Sequence, residues 1–246
     1  MTHEFEVFRT YLNEAGGIRT YPEITADSYF VYMLKTSEIV FDRDHPDMYM
    51  RSGDDILIIE HFEFDSYPRK KGKGSEFRRE ESRIDRKLDE LEYHENGRTL
   101  IDSIHGDSSY ENYIANAEYS FMKHYGEIEK YKDRLRDEGI ITSKSKVKVL
   151  FFIEDVSPLG SIAGTHAWSN DTVQVTLARS KEFIEFLKGY DKLDFILAAN
   201  EYNGEKSLWF IDCAQLPVYE TGALDYKSLG FISFHPQVAG GRIWLD

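Results

Sequence analysis

The sequence has very little cysteine and no long hydrophobic run. Because Cys213 is the single cysteine in 246 residues, the chain forms no internal disulfide and no multi-cysteine metal site. No apolar stretch approaches the ~20 residues that a membrane helix needs. The acidic first residues also lack the basic-then-apolar pattern of a signal peptide. These absences predict a cytoplasmic protein without a membrane segment.

The short motifs of several large enzyme classes are missing as well. The sequence contains no Gly-x-x-x-x-Gly-Lys-Ser/Thr phosphate loop, no Gly-x-Ser-x-Gly nucleophile elbow, no Gly-x-Gly-x-x-Gly and no His-Glu-x-x-His. This argues against the usual nucleotide-binding proteins, serine hydrolases and zinc proteases.

Positive charge is scarce overall but concentrated in one segment. The net charge of -14 argues against a protein that simply coats nucleic acid, because such proteins are usually basic. Between Pro68 and Lys87, however, nine basic residues stand against four acidic ones. The nine are Arg69, Lys70, Lys71, Lys73, Arg78, Arg79, Arg83, Arg86 and Lys87. The segment is therefore a local basic region in an acidic protein.

The chain does have enough apolar residues for a sizeable core, with 41% hydrophobic and 14% aromatic residues. Its patterns follow the order helices, three strands, helices, strand, helix and two strands. This order predicts one α/β domain over residues 1–246, with a central mixed β-sheet flanked by helices. We expect the core to span about 23–212 and a helical insertion to span about 75–138.

The second and third predicted strands are the centre of this pattern. They are joined by a tight turn at residues 52–55, and the third strand is nearly continuous in apolar residues, which is typical of a strand buried on both faces. Side chains alternate along a strand. One face then carries Ile58, Glu60, Phe62 and Phe64, and the other carries Leu57, Ile59, His61, Glu63 and Asp65.

Three later elements also have clear signals. Ser108 and Glu111 have the spacing of a capping box, which predicts a long helix from Ser108 to about Asp137. Residues 146–155 form an apolar run that predicts a buried strand. The Asn-Gly pair at 203–204 predicts a hairpin between the last two strands.

A hairpin followed by helix and strand, with Pro46-Asp47 opening the second strand and Ile59-Glu60 late in the third, resembles the PD-(D/E)XK nucleases. The resemblance to this restriction-endonuclease-like superfamily implies a core in which Asp47 and Glu60 lie side by side and bind Mg²⁺ or Mn²⁺. Carboxylate oxygens suit these hard cations, which polarise a phosphate and lower the pKa of a bound water. The implied activity is metal-dependent cleavage of phosphodiester bonds in nucleic acid.

Two further catalytic residues of the family, a lysine and a helix-borne acid, have no clear match in the motif of this chain. The family lysine, two residues after the glutamate, is Phe62 here. We expect Lys70, or one of its neighbours Lys71 and Lys73, to reach back from the following loop. A helix-borne acid often assists catalysis in the family, and Glu23 is the candidate for that role.

His61, Glu63 and Asp65 form a competing row on the other face of the third strand. An imidazole and two carboxylates in one row can hold a transition metal or form a proton-transfer pair, so His61 and Glu63 are further predicted metal ligands. His61 can replace the missing lysine only if the strand is bulged, because regular pleating points it away from Glu60.

The residues predicted to meet nucleic-acid phosphates are Arg69, Lys71, Lys73, Arg78 and Arg79. Two alternative functions remain open. The chain can be a degenerate member of the same fold that kept the scaffold and lost the chemistry, which Phe62 and the net charge favour. It can also be an acidic interaction or immunity-type protein that binds a basic protein partner.

Overall fold

The computed structural model describes residues 3–21, 28–41, 46–70, 74–75, 83, 102–103, 108–157, 161–164, 173–202, 204–229, 231–234 and 238–239. These residues form a seven-stranded mixed sheet with helices packed on both of its faces. The α/β fold that the order of the sequence patterns predicts is therefore confirmed.

The helices of the described ranges are α1 (His3–Glu14), α2 (Ser28–Thr36), α3 (Tyr110–Tyr125), α4 (Ile128–Asp137), α5 (Lys181–Leu187) and α6 (Leu216–Gly222). The strands are β1 (Ile18–Arg19), β2 (Glu38–Phe41), β3 (Met48–Ser52), β4 (Asp55–Phe64), β5 (Arg69–Lys70), β6 (Gly74–Ser75), β7 (Asp102–Ser103), β8 (Lys146–Asp155), β9 (Ser161–Gly164), β10 (Val173–Gln174), β11 (Phe195–Tyr202), β12 (Glu205–Asp212), β13 (Phe231–Phe234) and β14 (Val238–Ala239).

The main sheet has the strand order β1-β12-β11-β8-β4-β3-β2. The three consecutive strands that the sequence predicts are β2, β3 and β4, and they form an antiparallel meander. Strand β4 then pairs in parallel with β8, and β8 pairs in parallel with β11. Parallel neighbours need crossover connections, and helices α3, α4 and α5 lie within these crossovers. The carboxyl ends of β4, β8 and β11 therefore meet at one edge of the sheet.

Strand β4 is buried on both faces, as its apolar run predicts. On one face Ile58 belongs to the same core as Phe121 of α3, and on the other Leu57 belongs to the core that contains Phe8 of α1. Each such buried side chain contributes about 1.5–3 kcal/mol to folding. The second half of β4, where Glu60 and His61 lie, is thus held by packing from both sides.

The predicted long helix from Ser108 to Asp137 is in fact two helices. Helix α3 ends with Gly126 as its C-cap, and α4 begins at Ile128. Glycine costs a helix interior ~1 kcal/mol relative to alanine, which favours a break at this point. The predicted capping box is also wrong, because the N-cap is Ser109, whose Oγ accepts a hydrogen bond from the N–H of Asn112 at 3.1 Å.

Much of the predicted helical insertion falls outside the described residues, since only residue 83 is described between 76 and 101. The boundaries of the core and of the insertion stay predictions. Within the described ranges, none of the helices combines the length and the hydrophobicity required to cross a lipid bilayer.

Candidate functional site

Asp47 and Glu60 lie next to each other where β3 begins. The antiparallel register pairs Met48 with Ile59, so the residue before Met48 stands opposite the residue after Ile59. The main-chain N–H of Asp47 is directed at Glu60 Oε2, with 3.4 Å between nitrogen and oxygen. The structure therefore brings together the two acids that the resemblance pairs.

The Asp47 carboxylate is fixed by the edge of β4. The ladder between β3 and β4 ends at the pair formed by Met48 and Ile59. Beyond that pair, Asp47 Oδ2 accepts a hydrogen bond from the main-chain N–H of His61 at 2.7 Å. The Asp47 carboxylate thus accepts the hydrogen bond that a main-chain carbonyl would accept if the ladder continued. It lies where the two strands stop pairing and the cleft begins.

Glu60 is fully buried, with none of its surface exposed to solvent. Its Oε1 accepts a hydrogen bond from the Tyr131 hydroxyl at 2.8 Å and lies 2.8 Å from Nδ1 of His124. Since a carboxylate only accepts, Nδ1 is the protonated nitrogen in this contact. A buried carboxylate needs such donors, because a buried polar group without a hydrogen-bond partner is costly. The two donors fix Oε1 and leave Oε2 facing Asp47.

The electrostatics of this pair favour a cation. Burial and the negative charge of Glu60 raise the pKa of Asp47 from its ordinary value to about 6, although the hydrogen bond from His61 opposes the shift. Two adjacent carboxylates repel each other when both are ionised. A divalent cation between them removes that repulsion, and oxygen ligands are the type that Mg²⁺ and Mn²⁺ prefer.

Phe62, at the position of the family lysine, stacks on His124. The ring centroids are 4.7 Å apart and the ring planes are inclined by 12°. The ring nitrogens of His124 therefore lie beside Phe62, at the position of the family lysine. Strand β4 itself supplies only a hydrocarbon ring there. Sequence reasoning missed His124 and Tyr131, because both lie in a later crossover whose contact with β4 is set by tertiary packing.

A second cluster lies on the opposite face of β4. The parallel register places Glu63 opposite Glu154 of β8, and His61 Nε2 lies 3.1 Å from Glu154 Oε2. One ligand atom from each of the three residues lies within 4.8 Å of the other two. The ladder between β4 and β8 runs through ten consecutive pairs without a bulge. His61 therefore points away from Glu60, and the condition under which it replaces the lysine is not met.

Asp65 does not join the predicted row with His61 and Glu63. Strand β4 ends at Phe64, and Asp65 Oδ1 accepts a hydrogen bond from the main-chain N–H of Tyr67 at 3.0 Å. Its main-chain carbonyl accepts a hydrogen bond from Nδ2 of Asn116 at 2.7 Å. The chain turns away after β4, so that Glu154 rather than Asp65 supplies the second carboxylate of the cluster.

A cleft of about 490 Å³ opens at this end of the sheet. Acidic side chains of Asp47, Glu60 and Glu63 line it together with the basic side chains of Arg69 and Lys123. The cleft therefore combines oxygen ligands for a cation with positive groups that attract an anion.

The predicted phosphate-binding residue Arg69 lies at this cleft on a rigid support. Its guanidinium lies over the ring of Tyr119, 4.7 Å from the centroid. Its Nη1 donates a hydrogen bond to Ser120 Oγ at 3.2 Å. Tyr119 is 57% exposed, so its ring is open to a ligand. The helix α3 thus holds a cation and an aromatic face side by side.

The structure does not describe the other predicted site residues. Lys70 belongs to β5, but its side chain lies outside the described part. The residues that fall outside it altogether are Glu23, Lys71, Lys73, Arg78 and Arg79.

Comparison with models of known families, with curated proteins and with solved structures gave no match. The function has to be inferred from the residues of the cleft.

Proposed function

We propose that this chain is a metal-dependent hydrolase that cleaves phosphodiester bonds in nucleic acid, with Mg²⁺ or Mn²⁺ bound by Asp47 and Glu60. The observation that carries the proposal is the pairing of these two carboxylates across β3 and β4 in the wall of a cleft. The meander β2-β3-β4, followed by a helical crossover to the parallel strand β8, gives further support. It is the order of elements on which the resemblance to the PD-(D/E)XK nucleases rests.

The donor set fits the ion. Asp47 and Glu60 offer only oxygen atoms, and Glu60 is oriented by His124 and Tyr131, which bind its other oxygen. Ligating carboxylates are usually held in this way by hydrogen bonds from a surrounding layer of residues. A divalent ion bound here supplies polarisation of the phosphate and a lower pKa for water.

The rim of the cleft fits an anionic polymer. Arg69 and Lys123 are placed to bind phosphates of the backbone, since guanidinium and ammonium groups are the usual partners of phosphate oxygens. The exposed ring of Tyr119 offers a face on which a base can stack. Substrate is thus held by the rim while its phosphate reaches Asp47 and Glu60.

In the PD-(D/E)XK nucleases a lysine helps to activate the attacking water. Here His124 takes that role by orienting the water. Its ring lies on Phe62 and its Nδ1 is bound to Glu60, which leaves Nε2 as the remaining ring nitrogen. The side chain is 14% exposed, so a water molecule from the cleft can reach it. In this arrangement α3 provides Lys123 and Tyr119 of the rim as well as the polar group that the strand lacks.

One observation favours a second candidate function. Phe62 is buried, with 6% of its surface exposed, and it places a hydrocarbon ring where the family uses an amine. A degenerate nuclease fold that binds nucleic acid or a basic protein without cleaving it agrees with that substitution. The binding of nucleic acid or of a basic protein partner stays a prediction. The cytoplasmic location expected from the sequence is a prediction as well.

The first test is calorimetric titration of Mg²⁺ and Mn²⁺ into the purified chain, followed by cleavage assays with single-stranded and duplex DNA and RNA. We expect Asp47→Asn and Glu60→Gln to abolish both metal binding and cleavage. The matched control is Glu220→Gln, which removes a partly exposed carboxylate that pairs with Lys188 outside the cleft. Unchanged metal affinity in both site variants would overturn the proposal. Metal binding without cleavage of any substrate would support the degenerate alternative.

A further inference from the structure

Three metal-ligating side chains converge on the face of β4 that is turned away from Glu60. His61 and Glu63 are two residues apart on β4 and so share a face, and Glu154 stands beside Glu63 on β8. All three lie in the C-terminal halves of adjacent parallel strands, near the edge where open α/β sheets commonly bind their ligands. We propose that His61, Glu63 and Glu154 form a site for a divalent transition metal of the Zn²⁺ and Co²⁺ class, separate from the pair Asp47 and Glu60.

The spacing of the ligand atoms suits such an ion. Zinc binds nitrogen and oxygen at about 2.0–2.2 Å, which places neighbouring ligand atoms about 3–3.6 Å apart. His61 Nε2 and Glu154 Oε2 are already 3.1 Å apart, and the three ligand atoms lie within 4.8 Å of one another. A pair of ligand atoms at the 4.8 Å limit has to come closer by about 1–2 Å when the metal binds.

The nature of the ligands selects the metal. Imidazole nitrogen suits zinc, copper, iron and nickel, whereas Mg²⁺ prefers oxygen alone. The pair Asp47 and Glu60 offers oxygen alone, and this cluster offers one nitrogen with two carboxylates. The two faces of β4 therefore differ in the class of cation that they bind.

The surroundings hold the ligands in place before a metal arrives. The side chain of His61 is only 4% exposed, and its ring stacks on Phe152 with 5.0 Å between the centroids. Glu154 is 13% exposed and lies near the phenol of Tyr11 in α1, whose pKa is raised by burial and by the charge of Glu154.

The site also has access to solvent. His61 and Glu63 both line the cleft described above. Three protein ligands leave at least one coordination position for water or an anion, as in zinc sites that keep an open position. The bound ion would link the ends of β4 and β8 while remaining reachable from the cleft.

Glu63 is the residue that distinguishes a metal site from a simple ion pair. A buried ion pair between His61 and Glu154 needs no third ligand and binds no metal. Glu63 is only partly buried, so that Glu63→Gln alters the ligand set without opening the core. This variant carries the test, and Glu154→Gln is its companion.

The experiment is a titration of Co²⁺ into the full chain at neutral pH, followed by visible absorption and calorimetry. Co²⁺ with four or five ligands that include an imidazole absorbs visible light strongly. Six-coordinate Co²⁺ with oxygen ligands alone absorbs it weakly. We expect strong absorption in the wild type and in the control Glu220→Gln. In Glu63→Gln and Glu154→Gln the affinity should fall by at least about 100-fold, since even outer-layer residues cost 10–100-fold.

Asp47→Asn separates this inference from the proposed function. This variant should lose the Mg²⁺ site and keep the cobalt absorption, because Asp47 contributes no ligand to the second cluster. The inference is overturned if the wild type shows no cobalt absorption. It is also overturned if the absorption survives in Glu63→Gln, or if it disappears in Asp47→Asn. Neither readout depends on cleavage of a substrate.

Discussion

The ring of Phe62 lies on the ring of His124, with 4.7 Å between the centroids, and Nδ1 of the same histidine lies 2.8 Å from Glu60 Oε1. Two side chains on one face of β4 are thus bound by one residue of α3. His124 thus makes an apolar contact with Phe62 and a hydrogen bond with Glu60. A substitution that keeps the ring and removes the nitrogens separates the effects of the two contacts.

His124→Phe keeps a ring on Phe62 and removes the hydrogen bond to Glu60. Because Glu60 is fully buried, the loss of a donor should destabilise the protein by about 1–3 kcal/mol. The Mg²⁺ affinity should fall about 10–100-fold, since the ligand is no longer oriented. Urea denaturation and calorimetry measure the two effects.

Tyr131→Phe is the matched variant, because the Tyr131 hydroxyl binds the same oxygen of Glu60. The two substitutions share one partner, so the double variant should depart from additivity by about 0.5–3 kcal/mol. Strict additivity would mean that the two donors do not act on a common charge.

Asp155 should make stability depend on pH. Burial raises the pKa of this carboxyl from its ordinary value to about 6, against the hydrogen bond that it accepts from the N–H of Ser157. A raised native pKa means that the folded state holds the proton more tightly than the unfolded state. The stabilisation is therefore full below about pH 4 and is lost as the pH rises through about 6.

Asp155→Asn removes this titration while keeping the shape of the side chain. Between pH 4.5 and pH 7.5, the stability of the variant should gain about 1–3 kcal/mol relative to the wild type. Chemical denaturation at the two pH values gives the difference. Asp133→Asn is the control, because Asp133 is a largely exposed acid on α4. Equal pH profiles for wild type and Asp155→Asn would contradict the assignment.

Local patterns predicted the parts of the fold that depend on neighbouring residues. The turn at 52–55 joins β3 and β4 as expected, and β8 has the predicted bounds Lys146–Asp155. Strands β11 and β12 pair as the antiparallel hairpin that the sequence predicts. The approach of Asp47 to Glu60 was expected only from the family resemblance, and the observed hairpin register accounts for it, because Met48 pairs with Ile59.

Contacts between distant elements were beyond the reach of such patterns. Glu154 contacts His61 because β4 and β8 pair in a particular parallel register. The long crossover between these strands does not determine that register, so the sequence pattern could not predict it. His124 reaches Glu60 because α3 packs across β4, and Tyr131 reaches it from α4, the next helix of the same crossover. These residues carry no local signal that distinguishes them from core or surface positions.

Asp47 should make the Mg²⁺ affinity depend on pH. Burial and the charge of Glu60 raise the pKa of Asp47 to about 6, so the protonated form prevails below that pH. A ligating carboxylate must be deprotonated. The affinity should therefore fall by up to about tenfold per pH unit below 6, and it should level off above about pH 7. Calorimetric titrations at pH 5, 6 and 7 in wild type and Glu220→Gln test this, and a constant affinity over that range would contradict it.

Arg69 and Tyr119 should act together in binding nucleic acid. The guanidinium of Arg69 lies over the Tyr119 ring, so Arg69→Gln removes a phosphate contact and Tyr119→Ala removes a stacking face. Arg69→Gln should weaken binding and reduce the slope of log affinity against log salt by about 1. Tyr119→Ala should cost about 1–3 kcal/mol with a single-stranded ligand and leave the salt slope unchanged.

Both residues are exposed, so the stability of either variant should stay within about 0.5 kcal/mol of the wild type. The Mg²⁺ affinity should not change either, because neither side chain contacts Asp47 or Glu60. Lys188→Gln is the charge-matched control, since this lysine pairs with Glu220 outside the cleft. Fluorescence anisotropy with labelled oligonucleotides over a range of salt concentrations measures the effects. An equal loss of affinity in Lys188→Gln and Arg69→Gln would show that binding follows net charge, and not the cleft.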